Sequence, residues 1–105
     1  MNGRPYVILV KVLEIKGRCP VYHVGSTFRV LDGFKLEADE PICMHSLASL
    51  LPYYVALSRG IRPIDLGLNK KDEPLAYLQC LDPCEHTGGG TVVCGVFLEQ
   101  ANENP

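Results

Sequence analysis

Pro5 to Lys16 is the stretch that most restricts how this chain can fold. Tyr6, Ile8, Val10 and Val12 fall on one face of a period-two pattern, and Val7, Leu9, Leu13 and Ile15 on the other, with Lys11 the main exception. β-branched residues at that period fit a strand and no amphipathic helix. A strand apolar on both sides needs cover on both sides, so it is central in a sheet, or a neighbouring subunit buries its second face. Gly17 ends it.

The rest of the chain supplies what such a strand would pack against. Thr27 to Leu31 reads as a second strand, and Asp32-Gly33 before Phe34-Lys35-Leu36 favours a two-residue hairpin turn with positive φ. Asp39-Glu40-Pro41 signals a helix start, with carboxylates at the positive end of the dipole and Pro in the first turn. From there to about Arg59, Cys43, Leu47, Leu50, Leu51, Tyr54 and Leu57 form one apolar stripe, and Gly60 stops the helix. Pro52 lacks the N–H that Ala48 would accept, so it kinks or divides this helix. Pro63 to Gly67 looks like a short helical turn. Leu75 to Leu81 and Thr91 to Leu98 are two further strands, and residues 101–105 form a polar tail. The expected fold is α+β: one kinked helix packed on a mostly antiparallel sheet of about four to five strands, in a single domain over residues 1–105. If the last strand lies antiparallel beside the first, the loop after Cys80 and the turn at Cys19 meet at one end of the sheet.

Ten basic and twelve acidic residues, without a block of like charge, leave no electrostatic footprint for nucleic acid. The apolar run Tyr6 to Val10 is too short for a signal segment or a membrane span, so a cytoplasmic protein is expected. Its five cysteines then read as reduced thiols that are structural, metal-binding or redox-active.

Three short clusters pair a thiol with an imidazole: Cys19 with His23, Cys43 with His45, and Cys80 with Cys84 and His86. Zinc and iron take such ligands, although Cys80 and Cys84 have three residues between them where zinc knuckles usually have two. Cys43 falls in the first helical turn, where the positive dipole end favours a thiolate. His45, two residues on, would point away from it. Cys94 lies among Val92, Val96 and Leu98 and reads as a core residue. Gly88-Gly89-Gly90 has no following helix and no Lys-Ser or Lys-Thr pair, so it reads as a flexible lead-in rather than an anion nest. No hydrolase or dehydrogenase pattern is present.

Ile15-Lys16-Gly17-x-Cys19-Pro20, Ile42-Cys43-Met44-His45 with Leu50-Leu51-Pro52-Tyr53, Gln79-Cys80 with Asp82-Pro83, and Gly89-Gly90-Thr91-Val92 together resemble a family of small proteins of anaerobic bacteria and archaea without an assigned function. The resemblance spans nearly the whole chain. It implies that Cys19, Cys43, His45 and Cys80 form the site and leaves Cys84 and His86 outside its motifs, so these two stay secondary candidates on their thiol–imidazole pairing alone. The expectation is a small cytosolic protein whose thiol-rich site binds a metal, zinc or iron, or performs thiol redox chemistry. Expected partners are a second copy of the chain and a larger enzyme or redox protein. The alternatives are a non-catalytic binding or subunit module with structural cysteines, and a cysteine-nucleophile enzyme built on Cys43, which lacks a clearly placed base.

Overall fold

In a computed structural model describing residues 4–101, β1 (Val7–Gly17) is the middle strand of a five-stranded sheet. With β2 (Thr27–Leu31), β3 (Lys35–Glu37), β4 (Leu75–Gln79) and β5 (Gly90–Glu99), it gives the order β3-β2-β1-β5-β4, every pairing antiparallel. The centrality that the double-sided apolar pattern demanded is therefore met by β2 on one side and β5 on the other. The polar tail read over 101–105 lies, apart from Ala101, outside the described residues.

Ile8, Val10 and Val12 of β1, Phe28 and Val30 of β2, Ala76 of β4 and Val92, Cys94 and Val96 of β5 form the buried face. Leu50 and Leu57 pack into the same core from α1 (Met44–Leu50) and α2 (Tyr54–Ser58). Full burial of an aliphatic side chain is worth roughly 1.5–3 kcal/mol, which makes this face the main source of stability. On the opposite face the space over Gly95 is filled by Leu13, Leu75 and Phe97, the nearest neighbours that a Cβ there would meet. This second face is less sheltered: Leu13 and Tyr77 remain 36% and 44% exposed.

Ile15 departs from its expected face. The β1–β5 register shifts between Val12 and Glu14, which leaves Leu13 as an extra residue and sets Ile15 opposite Val92, against the core. A bulge reverses the alternation beyond it and bends the strand. Period-two counting along β1 is valid only up to Val12.

The helical segment also differs from the single kinked helix. Pro52 divides it, with Leu51 capping α1 and Tyr53 preceding α2, because an N–H is missing where the ladder would continue. Leu51 consequently leaves the apolar stripe and is 53% exposed. The helix starts at Met44 rather than near Asp39, since the Cys43 N–H is taken by the Tyr22 phenol and Cys43 stays extended as the N-cap. In the β2–β3 hairpin Asp32 and Gly33 do have positive φ, 57° and 82°. However, Leu31 pairs with Lys35, so three residues separate the partners rather than two. The turn over Pro63–Leu66 is a 3-10 helix ended by Gly67 at φ 74°, as its Pro-to-Gly pattern indicated. Among the described residues no helix is long and apolar enough to cross a membrane.

The loop after Cys80 and the turn at Cys19 do meet at one end of the sheet. Gly17 pairs with Gly90, and Arg18 N–H donates to Gly89 O at 3.1 Å. A Cβ on Gly90 would lie 2.6–3.0 Å from the Arg18 backbone. Gly90→Ala must therefore separate two backbones and is expected to cost about 3 kcal/mol. Gly67→Ala, with positive φ but open space around it, should cost nearer 1 kcal/mol. Urea unfolding of the two variants checks the ranking.

Candidate thiol site

The site begins with Tyr22, a residue in the β1–β2 connection that is 8% exposed. Its amide N–H donates to Cys19 Sγ at 3.2 Å, closing the turn after Pro20. Its phenol oxygen accepts the Cys43 N–H at 3.0 Å and shares a 2.6 Å hydrogen bond with Ser46 Oγ, which in turn donates to Cys43 O at 3.0 Å. One side chain thus ties the Cys19 turn to the start of α1. Burial pushes the Tyr22 hydroxyl above its ordinary value, while the hydrogen bonds from Ser46 and Cys43 act in the opposite sense.

Cys80 and Cys94 lie beneath this contact. The β4–β5 register puts Leu78 opposite Cys94, and the Cys80 N–H donates to Val92 O at 2.9 Å, so Cys80 and Cys94 are diagonal neighbours on the buried face. Cys80 Sγ accepts the Val92 N–H at 3.2 Å and approaches Gly90 O at 3.6 Å. Cys19 and Cys43, both half-buried, pack against the same core as Cys80 and Cys94. Burial pushes the Cys94 thiol up to about 11, with neighbouring Cys80, Cys19 and Cys43 adding to the shift as like charges. Cys94 is a core residue, as its strand context indicated, and it is also the floor beneath the other three thiols.

The remaining candidates stand apart. His45 is exposed and lies within electrostatic reach of Asp82, whose carboxyl is lowered first of all by the Thr87 hydroxyl. Asp82 Oδ1 accepts from Thr87 Oγ1 and from the Cys84 N–H. Thr91 Oγ1 donates to Asp82 O at 2.7 Å. The loop ahead of the Gly88-Gly89-Gly90 lead-in is closed on Asp82 by these hydrogen bonds. Cys84, at φ 37°, directs its thiol to Lys16 O and Gly89 O over Gly17, where a Cβ would come within 2.7 Å of the sulfur. His86 and His23 are exposed, and His23 bonds only locally to Ser26. The seven-residue α1 provides little dipole for Cys43.

Of the residues singled out in the sequence, Cys19, Cys43 and Cys80 share one core cluster, while His45, Cys84 and His86 do not join it. Tyr22 carried no sequence signal, because nothing local indicates that its hydroxyl reaches Cys43. The position of Cys94 was accessible from hairpin register alone. Among the described residues no group of three or more His, Cys, Asp or Glu side chains is arranged to hold a metal ion. No family model, curated protein or solved structure matches the chain, so the site's chemistry carries the functional argument.

The raised Cys94 value gives a pH dependence. Its stabilising contribution is complete below about pH 9 and is lost as the pH rises through about 11. A shift of that size corresponds to roughly 2–3 kcal/mol. The urea midpoint should fall across this window, and Cys94→Val should remove the lower part of the fall. Tyr22, shifted in the same direction from 10.0, leaves an upper part in place.

Proposed function

We propose that this protein works by thiol–disulfide exchange, with Cys19 meeting an external disulfide and Cys43 resolving the product. The observation that carries the reading is the double use of Tyr22, which bonds Cys19 Sγ through its N–H and the Cys43 N–H through its phenol. The Cys19 thiol and the Cys43 backbone, both half-buried residues, are thereby tied to one residue, and Cys19 and Cys43 both lie near enough to Cys94 to act on its thiol. Cys80 and Cys94 are buried beneath them, and burial opposes thiolate formation at Cys94.

In the first step the Cys19 thiolate attacks a sulfur of the external disulfide, whose S–S bond breaks and whose second half leaves as a thiolate. The Cys43 thiolate then attacks the Cys19 sulfur, and the first half leaves. Two protein thiols are oxidised to one disulfide, the external disulfide is reduced to two thiols, and the protons pass to the leaving thiolates. The soft donors Cys19, Cys43 and Cys80 also suit zinc or iron, and this is the competing reading. The resemblance to the small anaerobe proteins is a proposal of kinship that marks the same three thiols. A reducing compartment such as the cytoplasm is in keeping with five free cysteines.

Anaerobic titration with a small disulfide is expected to consume Cys19 and Cys43 reversibly. Cys43→Ser should trap a mixed disulfide on Cys19. Stoichiometric metal after anaerobic purification would replace exchange by metal binding, and unreactive native thiols without metal would leave the structural-cysteine module standing. We also propose that a second copy docks on the face around Leu13, Leu75 and Phe97. Light scattering should then report a dimer that Leu13→Lys converts to monomer, and a monomeric parent protein would refute it.

A further inference from the structure

Resting on that exchange reading, the geometry beside Cys19 indicates which disulfides the site would take. A cleft of about 660 Å³ opens between the end of β1 and the Gly88-Gly89 segment, within the size range that accepts small organic ligands. Its walls are Ile15, Arg18, Cys19 and Pro20, together with the backbone at Gly17 and Gly89. Arg18 is the one charged residue lining it among the described residues. The Arg18 backbone is anchored to Gly89 O, so the segment that carries Arg18 and Cys19 is fixed at the rim. Ile15 and Pro20 add apolar contact.

Asp82, whose carboxylate abuts Gly89, is the charge that could oppose an anion here. It accepts from the Thr87 hydroxyl and the Cys84 N–H, and His45 lies within electrostatic reach. Asp82 is thus engaged as a carboxylate within its own loop and does not line the cleft, whereas Arg18 does. A guanidinium next to a thiol recognises carboxylate by charge and by its forked donors.

We propose that the cleft binds a small disulfide carrying carboxylates, with a carboxylate on Arg18 and the S–S bond at Cys19. The exchange chemistry is the one given above, with the carboxylate-bearing thiol as the leaving group.

The test uses the full chain with Cys43→Ser, so that reaction stops at the mixed disulfide. Rates of adduct formation at Cys19, mapped by mass spectrometry, are compared for the disulfide of 3-mercaptopropionate, neutral 2-hydroxyethyl disulfide and dicationic cystamine. Adding Arg18→Gln is expected to lower the dianion-to-dication rate ratio by about tenfold at low salt, in the range for local electrostatic steering. Arg18→Lys should keep most of the ratio, and salt should shrink it in the parent. A ratio indifferent to Arg18→Gln, with Cys19 still reacting, would overturn the carboxylate inference and leave exchange in place. A Cys19 that reacts with none of the three disulfides would overturn the exchange reading itself.

Discussion

The antiparallel pairing of β1 with β5, bulged between Val12 and Glu14, is the constraint on which the rest of the molecule depends. It places the most apolar strand in the middle of the sheet and lines Ile8, Val10 and Val12 up with Leu98, Val96 and Cys94. It also carries the pairing on to Gly17 and Gly90, where two backbones come too close for a side chain. That contact brings the Cys19 turn beside the Gly88-Gly89 segment and beneath Cys84. Without the extra residue at Leu13, Ile15 would face away from the core and the end of β1 would meet the loop differently.

The thiol cluster is assembled across four separate parts of the chain: the β1–β2 turn, the start of α1, the end of β4 and the middle of β5. Two kinds of bond hold it in register. Sheet hydrogen bonds fix Cys80 against Val92 and hence near Cys94, while Tyr22 bonds the Cys19 thiol and the Cys43 backbone N–H. The Tyr22–Ser46–Cys43 network is buried and satisfied, and among the described residues no buried side-chain nitrogen or oxygen lacks a partner. A buried network with all its groups bonded specifies one arrangement, because each lost partner would cost about 1–3 kcal/mol. Exposed ion pairs such as Arg62 with Asp65 and Asp72 contribute little by comparison.

Much of the architecture was legible from local chemistry. The strands at Val7–Gly17, Thr27–Leu31 and Gly90–Glu99 follow from alternation of β-branched residues, and the helix division follows from the missing N–H of Pro52. The meeting of the Cys19 turn with the loop after Cys80 followed from one topological assumption, that the last strand pairs with the first. The failures share a cause. The bulge at Leu13 and the late helix start at Met44 each depend on a partner distant in sequence or on a local register slip, neither of which leaves a periodic trace.

By itself the sequence determined an α+β chain with a central double-sided strand, a helical segment interrupted at Pro52 and a thiol-rich composition without a recognisable catalytic motif. Those properties rest on local periodicity, on the backbone limits of Pro and Gly and on the inventory of side chains. Only the tertiary structure decided which thiols belong together. It joined Cys94 to Cys19, Cys43 and Cys80, made Tyr22 the link between two of them, and left His45, Cys84 and His86 outside. The physical reason is that convergence is set by strand register and by one long-range phenol hydrogen bond. A one-residue slip between β4 and β5 would move Cys80 and Cys94 to opposite faces of the sheet without changing the composition at all.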